Sequence, residues 1–219
     1  MKYSVSEENY IKSIYHLQQQ TATVSTTALA NAMHTKPASV TDMLKKLQAK
    51  KLLDYEKYRG CNLNASGTKI ALGIVRRHRL WEFFLVDKLG FEWDKVHAIA
   101  EELEHVNNEE LVKKLDAFLN FPQTDPHGDP IPDTHLKITL IKQLNLLTIT
   151  PKKNVVITAV SNQSTAILDL LKHYGMGIGT GLKVNKHFSF DGSVEIKIYQ
   201  QAPCIISGQV AKNIFVRYV

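Results

Sequence analysis

Apolar residues recur at helical spacing through most of the first half of the chain. This spacing, with capping residues before it, predicts three helices, and two strand-like runs that turn near Arg59-Gly60 follow them. The predicted helices run from Ser6, as N-cap, to about Gln20, from Thr26, capped by Ser25, to Met33, and from Ala38 to Lys50, and the strand-like pair covers residues 52–64. Short helix, tight turn, longer helix and hairpin is the order of a winged helix-turn-helix.

The pattern changes after residue 120. Helices are predicted over residues 65–89, 96–106 and 108–119, and four prolines in residues 121–133 then indicate an ordered loop. A β-rich run at 155–160, a helix at 163–174, a hairpin about Asp191-Gly192 and a closing run at 213–218 predict a small β barrel. The state of residues 134–151 is left open. We expect a mainly α chain with a C-terminal β module, divided into domains at 1–72, 73–140 and 151–219.

Composition adds three constraints. The 219 residues, 44% hydrophobic and 22% charged, are typical of a globular protein with its own core. The chain has no apolar run of 18 residues and begins without an apolar signal core, so we expect a cytoplasmic protein. Its two cysteines, Cys61 and Cys204, lie far apart and indicate neither a disulfide framework nor a zinc ribbon.

Positive charge is concentrated in one part of the chain. Residues 34–79 hold eleven lysines and arginines against three acids. The net charge of this segment therefore exceeds that of the whole chain, which is +6. Such an excess is typical of a surface that meets phosphates. The predicted phosphate contacts are Lys36, Lys45, Lys46, Lys57 and Arg59, and the predicted base readers at the start of the third helix are Ser39, Thr41 and Asp42. The alternative is a helical domain with a solvated basic face.

Histidine and glutamate share helix faces in two neighbouring predicted helices. The first helix carries His78 and Glu82, four residues apart, within an apolar sector that includes Leu85 and Leu89. The second carries His97, Glu101, Glu104 and His105 beside its apolar stripe. Burying such groups without partners is costly, so the spacing favours a shared divalent metal. The alternatives are a satisfied His-Glu pair in the core for the first helix and a solvated face for the second.

Three sequence segments resemble the metal-dependent repressors of the diphtheria toxin repressor and manganese transport regulator family. They are Arg77-His78-Arg79-Leu80-Trp81-Glu82, then Lys95-Val96-His97 with Glu104-His105-Val106, and Pro126-His127-Gly128-Asp129-Pro130-Ile131-Pro132. The resemblance covers nearly the whole chain. It implies a winged helix-turn-helix, a helical metal-binding and dimerisation domain, and an SH3-like, FeoA-like C-terminal module.

The resemblance also implies two metal sites. The principal family site takes the positions of Asn9, Glu101, Glu104 and His105, and Asn9 departs from the usual Asp or Met. Lys12 stands where the manganese branch tends to have Glu, which argues against a two-metal cluster there. The second family site uses the positions of His78, Glu82 and His97, and in some relatives those of Asp125 and His127. Glu101 replaces the Cys of iron-type members, so the ligand set favours Mn(II), with Fe(II) as the alternative.

The resemblance implies a non-enzymatic function. We expect a homodimeric, Mn(II)-activated repressor of metal-uptake genes that binds a palindromic operator on double-stranded DNA. One competing hypothesis is a metal-dependent hydrolase, which the absence of HExxH, nucleophile-elbow and glycine-rich phosphate motifs disfavours. Another is a winged-helix regulator that binds an organic effector. A ligand of the barrel itself is predicted near Asn162 and Gln163.

Overall fold

The computed structural model describes residues 3–139, 142–161 and 164–219, so Asn162 and Gln163 lie outside the described residues. The chain forms two compact units, and each is described separately. The first unit comprises Met1–His78, Glu101–Ala117 and Pro132–Ile138, and the second comprises Arg79–Ala100, Phe118–Ile131 and Thr139–Val219. No helix in the described ranges is both long and apolar enough to cross a membrane.

The first unit contains the winged helix-turn-helix that the sequence predicts. Its elements are α1 (Val5–Gln18), α2 (Thr26–Ala32), α3 (Pro37–Ala49), β1 (Leu53–Glu56), β2 (Gly60–Leu63) and the start of α4 (Ala65–Asp87). β1 and β2 pair antiparallel, with Leu53 opposite Leu63 and Glu56 opposite Gly60. The wing is therefore a two-stranded hairpin that directly follows α3.

The predicted N-cap of α1 is wrong. Ser4, not Ser6, caps the helix: its hydroxyl accepts from the Glu7 backbone N–H, and the Glu7 carboxylate accepts from the Ser4 N–H. The reciprocal pair is a capping box, which satisfies two backbone donors at once and so outcompetes a single serine cap.

Apolar residues from all three N-terminal helices and the wing form one core. Ile11, Ile14, Leu29, Leu44 and Leu47 are fully buried in it. Cys61 of β2 belongs to the same core, where burial raises the pKa of its thiol to about 12. The core thus fixes α3, the helix predicted to enter DNA, against α1.

Two further helices follow α4, namely α5 (Val96–Leu103) and α6 (Glu109–Phe118). α5 ends earlier than predicted, so Glu104 and His105 lie in the turn after it and not on the helix. Both residues are nevertheless buried, so they do not belong to a solvated helix face. Leu89, placed by its spacing in the apolar sector of the long helix, lies beyond the end of α4 and is 55% exposed.

The C-terminal part of the second unit is a six-stranded antiparallel sheet with the strand order β3-β8-β4-β5-β6-β7. Its elements are β3 (Leu144–Asn145), a short 3-10 helix (Leu146–Thr148), β4 (Lys153–Val160), α7 (Thr165–His173), β5 (Gly181–His187), β6 (Val194–Ile198), β7 (Cys204–Ile206), α8 (Gly208–Ala211) and β8 (Ile214–Tyr218). The predicted hairpin about Asp191-Gly192 is confirmed as β5–β6, with His187 opposite Val194. β7 and α8 were not predicted, because each is too short to show a period.

Inward-facing residues of this sheet and of its short helices form the second core, which includes Leu146, Val155, Leu182, Ile196 and Val216. Trp93 packs against the same cluster. A mainly helical chain with a C-terminal β module is therefore confirmed, whereas the boundaries at 1–72, 73–140 and 151–219 remain a prediction.

Candidate metal centres and nucleic-acid interface

Glu82 belongs to a polar group in the second unit, buried except for His97, which we call the Glu82 centre (Glu82, His97, Asp125 and His127). Glu82 sits in α4 with its side chain 1% exposed, and its Oε1 is 3.2 Å from Nδ1 of His97, which is half exposed. One ligand atom from each of Glu82, Asp125 and His127 lies within 4.8 Å of the others, and all three residues are buried. His78 precedes Glu82 by one turn of α4.

His127 has the tautomer that a metal ligand needs. Its Nε2 is 2.8 Å from the Trp93 carbonyl oxygen, which can only accept, so Nε2 carries the hydrogen and donates. In the neutral ring Nδ1 then holds a lone pair. This atom is buried without a hydrogen bond, 3.8 Å from Glu82 Oε2. A ring fixed by a carbonyl on one side and open on the other is the usual arrangement of a metal-binding histidine.

The charges of the Glu82 centre also favour a cation. Burial raises the pKa of Asp125 well above its usual range, and the nearby carboxylates of Asp129 and Glu82 raise it further, while Arg79 lowers it. The Arg79 guanidinium is 3.5 Å from Asp125 Oδ2 and 3.2 Å from Asp129 Oδ2. Carboxylates thus outnumber the arginine, and the residues present fit a divalent ion.

The C-terminal sheet holds the proline-rich loop that carries Asp125 and His127. The Val160 N–H at the end of β4 donates to the His127 carbonyl oxygen at 2.9 Å. Gly128 has φ +87°, and a Cβ there would lie 2.0 Å from the Thr158 carbonyl oxygen. Asp125 closes the loop from within, because its Oδ1 accepts from the backbone N–H groups of His127 and Asp129.

A second polar group lies in the first unit and is arranged differently. We call it the Lys12 cluster; it comprises Glu8, Lys12, Arg77, His78, Glu101, Glu104 and His105. Lys12 Nζ lies 2.7 and 2.8 Å from the two carboxylate oxygens of Glu104 and 3.3 Å from Glu101 Oε1. Burial alone raises the pKa of Glu104, but the hydrogen bond from His78 and the charge of Lys12 outweigh it and hold that pKa below its usual range.

The remaining members of the Lys12 cluster form pairs. His78 Nδ1 is 2.6 Å from Glu104 Oε2, and His105 Nδ1 is 2.7 Å from Glu8 Oε2. Arg77 Nη2 is 3.5 Å from Glu8 Oε1, and its Nε donates to the Glu104 carbonyl oxygen. In the described ranges, each group of three potential ligands that converges within 4.8 Å includes Glu82, and none consists of members of the Lys12 cluster alone. The Lys12 cluster as it stands therefore does not fit a divalent cation, because an ammonium contacts both Glu104 oxygens.

The structure places the predicted ligands in both units. In the second unit Glu82, Asp125 and His127 converge and His97 lies beside Glu82, whereas in the first unit His78 bonds to Glu104. Asn9 is partly buried on α1 beside Glu8. Sequence reasoning missed Glu8, and it treated Lys12 only as a mismatch to relatives. The available signal was the spacing of Glu8 and Lys12, which places both on one face of α1.

Glu7 connects α1 to α3. Its Oε1 is 2.6 Å from Lys50 Nζ and 3.2 Å from Lys46 Nζ. Burial alone raises the pKa of Glu7, but the hydrogen bonds from Lys50, the Ser4 backbone and Lys46 lower it to about 2. α1 is therefore attached to α3 through Glu7 and to the segment after α5 through Glu8 and Lys12.

Most of the predicted DNA-contacting residues lie on the surface. Those exposed are Lys36, Ser39, Asp42, Lys45, Lys46, Lys57 and Arg59. Thr41 is partly buried, and its hydroxyl donates to the Pro37 carbonyl oxygen at 3.0 Å. Tyr58 at the wing tip is 92% exposed and was not predicted; Lys57 Nζ lies 4.9 Å from the centre of its ring.

A winged helix with an exposed basic face and a buried acid–histidine centre are the features of metal-dependent DNA-binding regulators. Three family models match successive parts of the chain. They are the "Iron dependent repressor, N-terminal DNA binding domain" at residues 2–61, the "Iron dependent repressor, metal binding and dimerisation domain" at 64–133, and the "FeoA domain" at 144–218. The chain belongs to the metal-dependent repressor family of the diphtheria toxin repressor and the manganese transport regulator.

Individual relatives support this membership. The chain is 34% identical to the "Iron-dependent repressor IdeR" of Mycobacterium leprae over 57% of this chain and 54% of that protein, so the match spans about half of the relative's length. It is 35% identical to the "HTH-type transcriptional regulator MntR" of Oceanobacillus iheyensis over 55% of this chain and 81% of that protein. A solved "Manganese-dependent transcriptional repressor complex with manganese" is 31% identical, with a TM-score of 0.85 over 97% of this chain and 100% of that one.

Proposed function

We propose that this protein is a Mn(II)-activated transcriptional repressor that binds a palindromic operator as a homodimer and controls metal-uptake genes. Its place of action would be the cytoplasm, where the DNA is. The observation that carries the proposal is the Glu82 centre: buried carboxylates and a pre-oriented imidazole in the same chain as a basic winged helix. Both iron- and manganese-dependent repressors are among its relatives, which supports metal dependence in general.

The ligand types favour manganese. Glu82, Asp125, His127 and His97 offer carboxylate oxygens and imidazole nitrogens, and His78 lies one turn away on α4. Hard oxygen ligands without a thiolate suit Mn(II), with Fe(II) as the alternative. A bound divalent cation would supply the positive charge that Glu82 and Asp125 lack in this buried place.

DNA binding would be the task of residues 1–72. The exposed start of α3 presents Ser39 and Asp42 to base edges, with Thr41 beside them. Phosphate contacts would come from Lys36, Lys45 and Lys46 around α3 and from Lys57 and Arg59 on the wing. Residues 73–140 would provide the metal-binding and dimerisation domain, and 151–219 the SH3-like domain, which supports the loop of His127 through Val160.

Gel-shift binding to operator DNA, measured with chelator and with added Mn(II), tests the proposal. Mn(II) should strengthen binding at least about tenfold, which corresponds to a coupling free energy of about 1.4 kcal/mol. His127→Ala should abolish this effect, whereas His135→Ala, a change at an exposed histidine, should preserve it. Equal binding with and without metal would refute metal activation. Parallel titrations with Fe(II) under anaerobic conditions decide between the two metals.

A further inference from the structure

Lys12 takes a position in the first unit that a metal ion would need. Its side chain is 13% exposed and that of Glu104 is fully buried. The ammonium contacts both oxygens of that carboxylate and one oxygen of Glu101. A lysine so placed has exchanged its hydration for ion pairs with two acids, and a cation entering beside Glu104 would have to displace it.

The charges of the Lys12 cluster are already largely compensated. Its acids are Glu8, Glu101 and Glu104, and its permanent cations are Lys12 and Arg77. The imidazoles of His78 and His105 each bond to one of the buried acids. The Glu82 centre differs in charge, because there the single guanidinium of Arg79 faces the carboxylates of Asp125, Asp129 and Glu82.

We propose that the ammonium of Lys12 replaces a divalent metal ion in this cluster, which therefore binds no metal. Lys12 and Glu8 then join α1 to the Glu101–His105 segment whether metal is present or not. Because Glu7 of the same helix holds Lys46 and Lys50 of α3, the attachment of the DNA-reading helix to this segment is also independent of metal. Metal binding by this chain is confined to the Glu82 centre. The inference goes beyond the proposed function and does not depend on it.

Metal stoichiometry tests the inference. Mn(II) bound per chain is counted by electron paramagnetic resonance of the free ion and by elemental analysis after dialysis. His127→Ala should lose all the Mn(II) that the native chain retains, and Lys12→Glu should bind one equivalent more than the native chain. If the His127→Ala protein retains an equivalent that the double variant His127→Ala/Glu104→Gln loses, the Lys12 cluster binds metal and the inference is wrong.

The count also separates this inference from the proposed function. A native chain that binds no Mn(II), with a Lys12→Glu variant that gains one equivalent, would refute metal activation but support the role of Lys12. If Lys12→Glu folds only with Mn(II), by circular dichroism, the gain of a site is supported as well. A folded Lys12→Glu chain that gains no metal would contradict the inference.

Thermal unfolding in chelator measures the structural role of Lys12. Lys12→Met leaves the buried Glu104 carboxylate without its cation, so the melting temperature should fall by at least about 5 °C. Lys113→Met, at an exposed lysine of α6, is the matched control and should change it by less than about 2 °C. Equal melting temperatures for the two variants would show that Lys12 does not stabilise the fold without metal.

Discussion

At the scale of single residues, buried charges explain how this chain is held together, and Glu7 is the clearest case. Its carboxylate is 2% exposed and accepts hydrogen bonds from Lys50 and from the Ser4 backbone, with Lys46 close by. These partners stabilise the ionised form more than the neutral one, so they lower its pKa to about 2 from the usual 4.5. A carboxyl group with a lowered pKa in the folded state stabilises the fold above its unfolded pKa.

We expect Glu7→Gln to lower the free energy of unfolding at pH 7 by about 2–3 kcal/mol. The difference from the native chain should persist down to about pH 4.5, shrink as the pH falls further and disappear below about pH 2, where Glu7 is protonated in both states. Urea unfolding at a series of pH values measures this. Glu102→Gln, at an exposed glutamate of α5, is the control and should be close to neutral throughout.

The sequence predicted which types of side chain form the candidate metal centres better than it predicted which of these side chains contact one another. The spacing of His78 and Glu82 placed both on one face of α4, but it did not show that His78 bonds to Glu104 and Glu82 to His97. Which histidine meets which carboxylate depends on tertiary contacts that helical periodicity does not contain. The role of Lys12 was missed for the same reason, since its acidic partners are about ninety residues away in the chain.

At the scale of elements, the periodic segments were predicted and the irregular ones were not. All three helices of the winged motif, the wing and the β5–β6 hairpin are confirmed because each has a period or a turn residue that marks it. The path of the proline-rich loop could not be predicted. It depends on backbone contacts such as Val160 N–H to His127 O and on the close approach of Gly128 to β4.

Gly128→Ala tests whether the sheet positions the loop of the Glu82 centre. The added Cβ would lie 2.0 Å from the Thr158 carbonyl oxygen, and residue 128 would keep a φ of +87°, which residues other than glycine rarely adopt. The loop and the strand must therefore move apart, at a cost of about 2 kcal/mol or more. We expect Mn(II) affinity to fall at least about tenfold in calorimetric titration. Gly90→Ala has a similar φ of +69° but no atom within 4 Å of the added carbon, so it should leave affinity unchanged. Equal affinities in the two variants would show that the sheet does not position the ligands.

At the scale of the whole molecule, charge is distributed unevenly along the chain. The excess of lysine and arginine lies within residues 34–79, and those predicted to meet phosphates are exposed on α3 and the wing. The rest of the chain is slightly acidic. Long-range attraction to DNA should therefore act on the winged helix and orient it during the encounter.

Lys45→Ala should weaken operator and non-operator DNA binding by a similar factor, because a phosphate contact carries no base information. The slope of log affinity against log salt concentration should decrease in magnitude by about 0.9 for the lost contact. Fluorescence anisotropy at several salt concentrations measures the slope. Lys113→Ala removes an equal charge from α6, and an equal change of slope there would contradict a specific contact by Lys45.

The burial of Cys61 affects how readily this protein reacts with oxidants. A thiol with a pKa of about 12 is almost entirely protonated at neutral pH, and the thiolate is the form that reacts with peroxide. Burial also raises the pKa of Cys204. We therefore expect Cys61 in the core of the winged helix to stay reduced during oxidative stress.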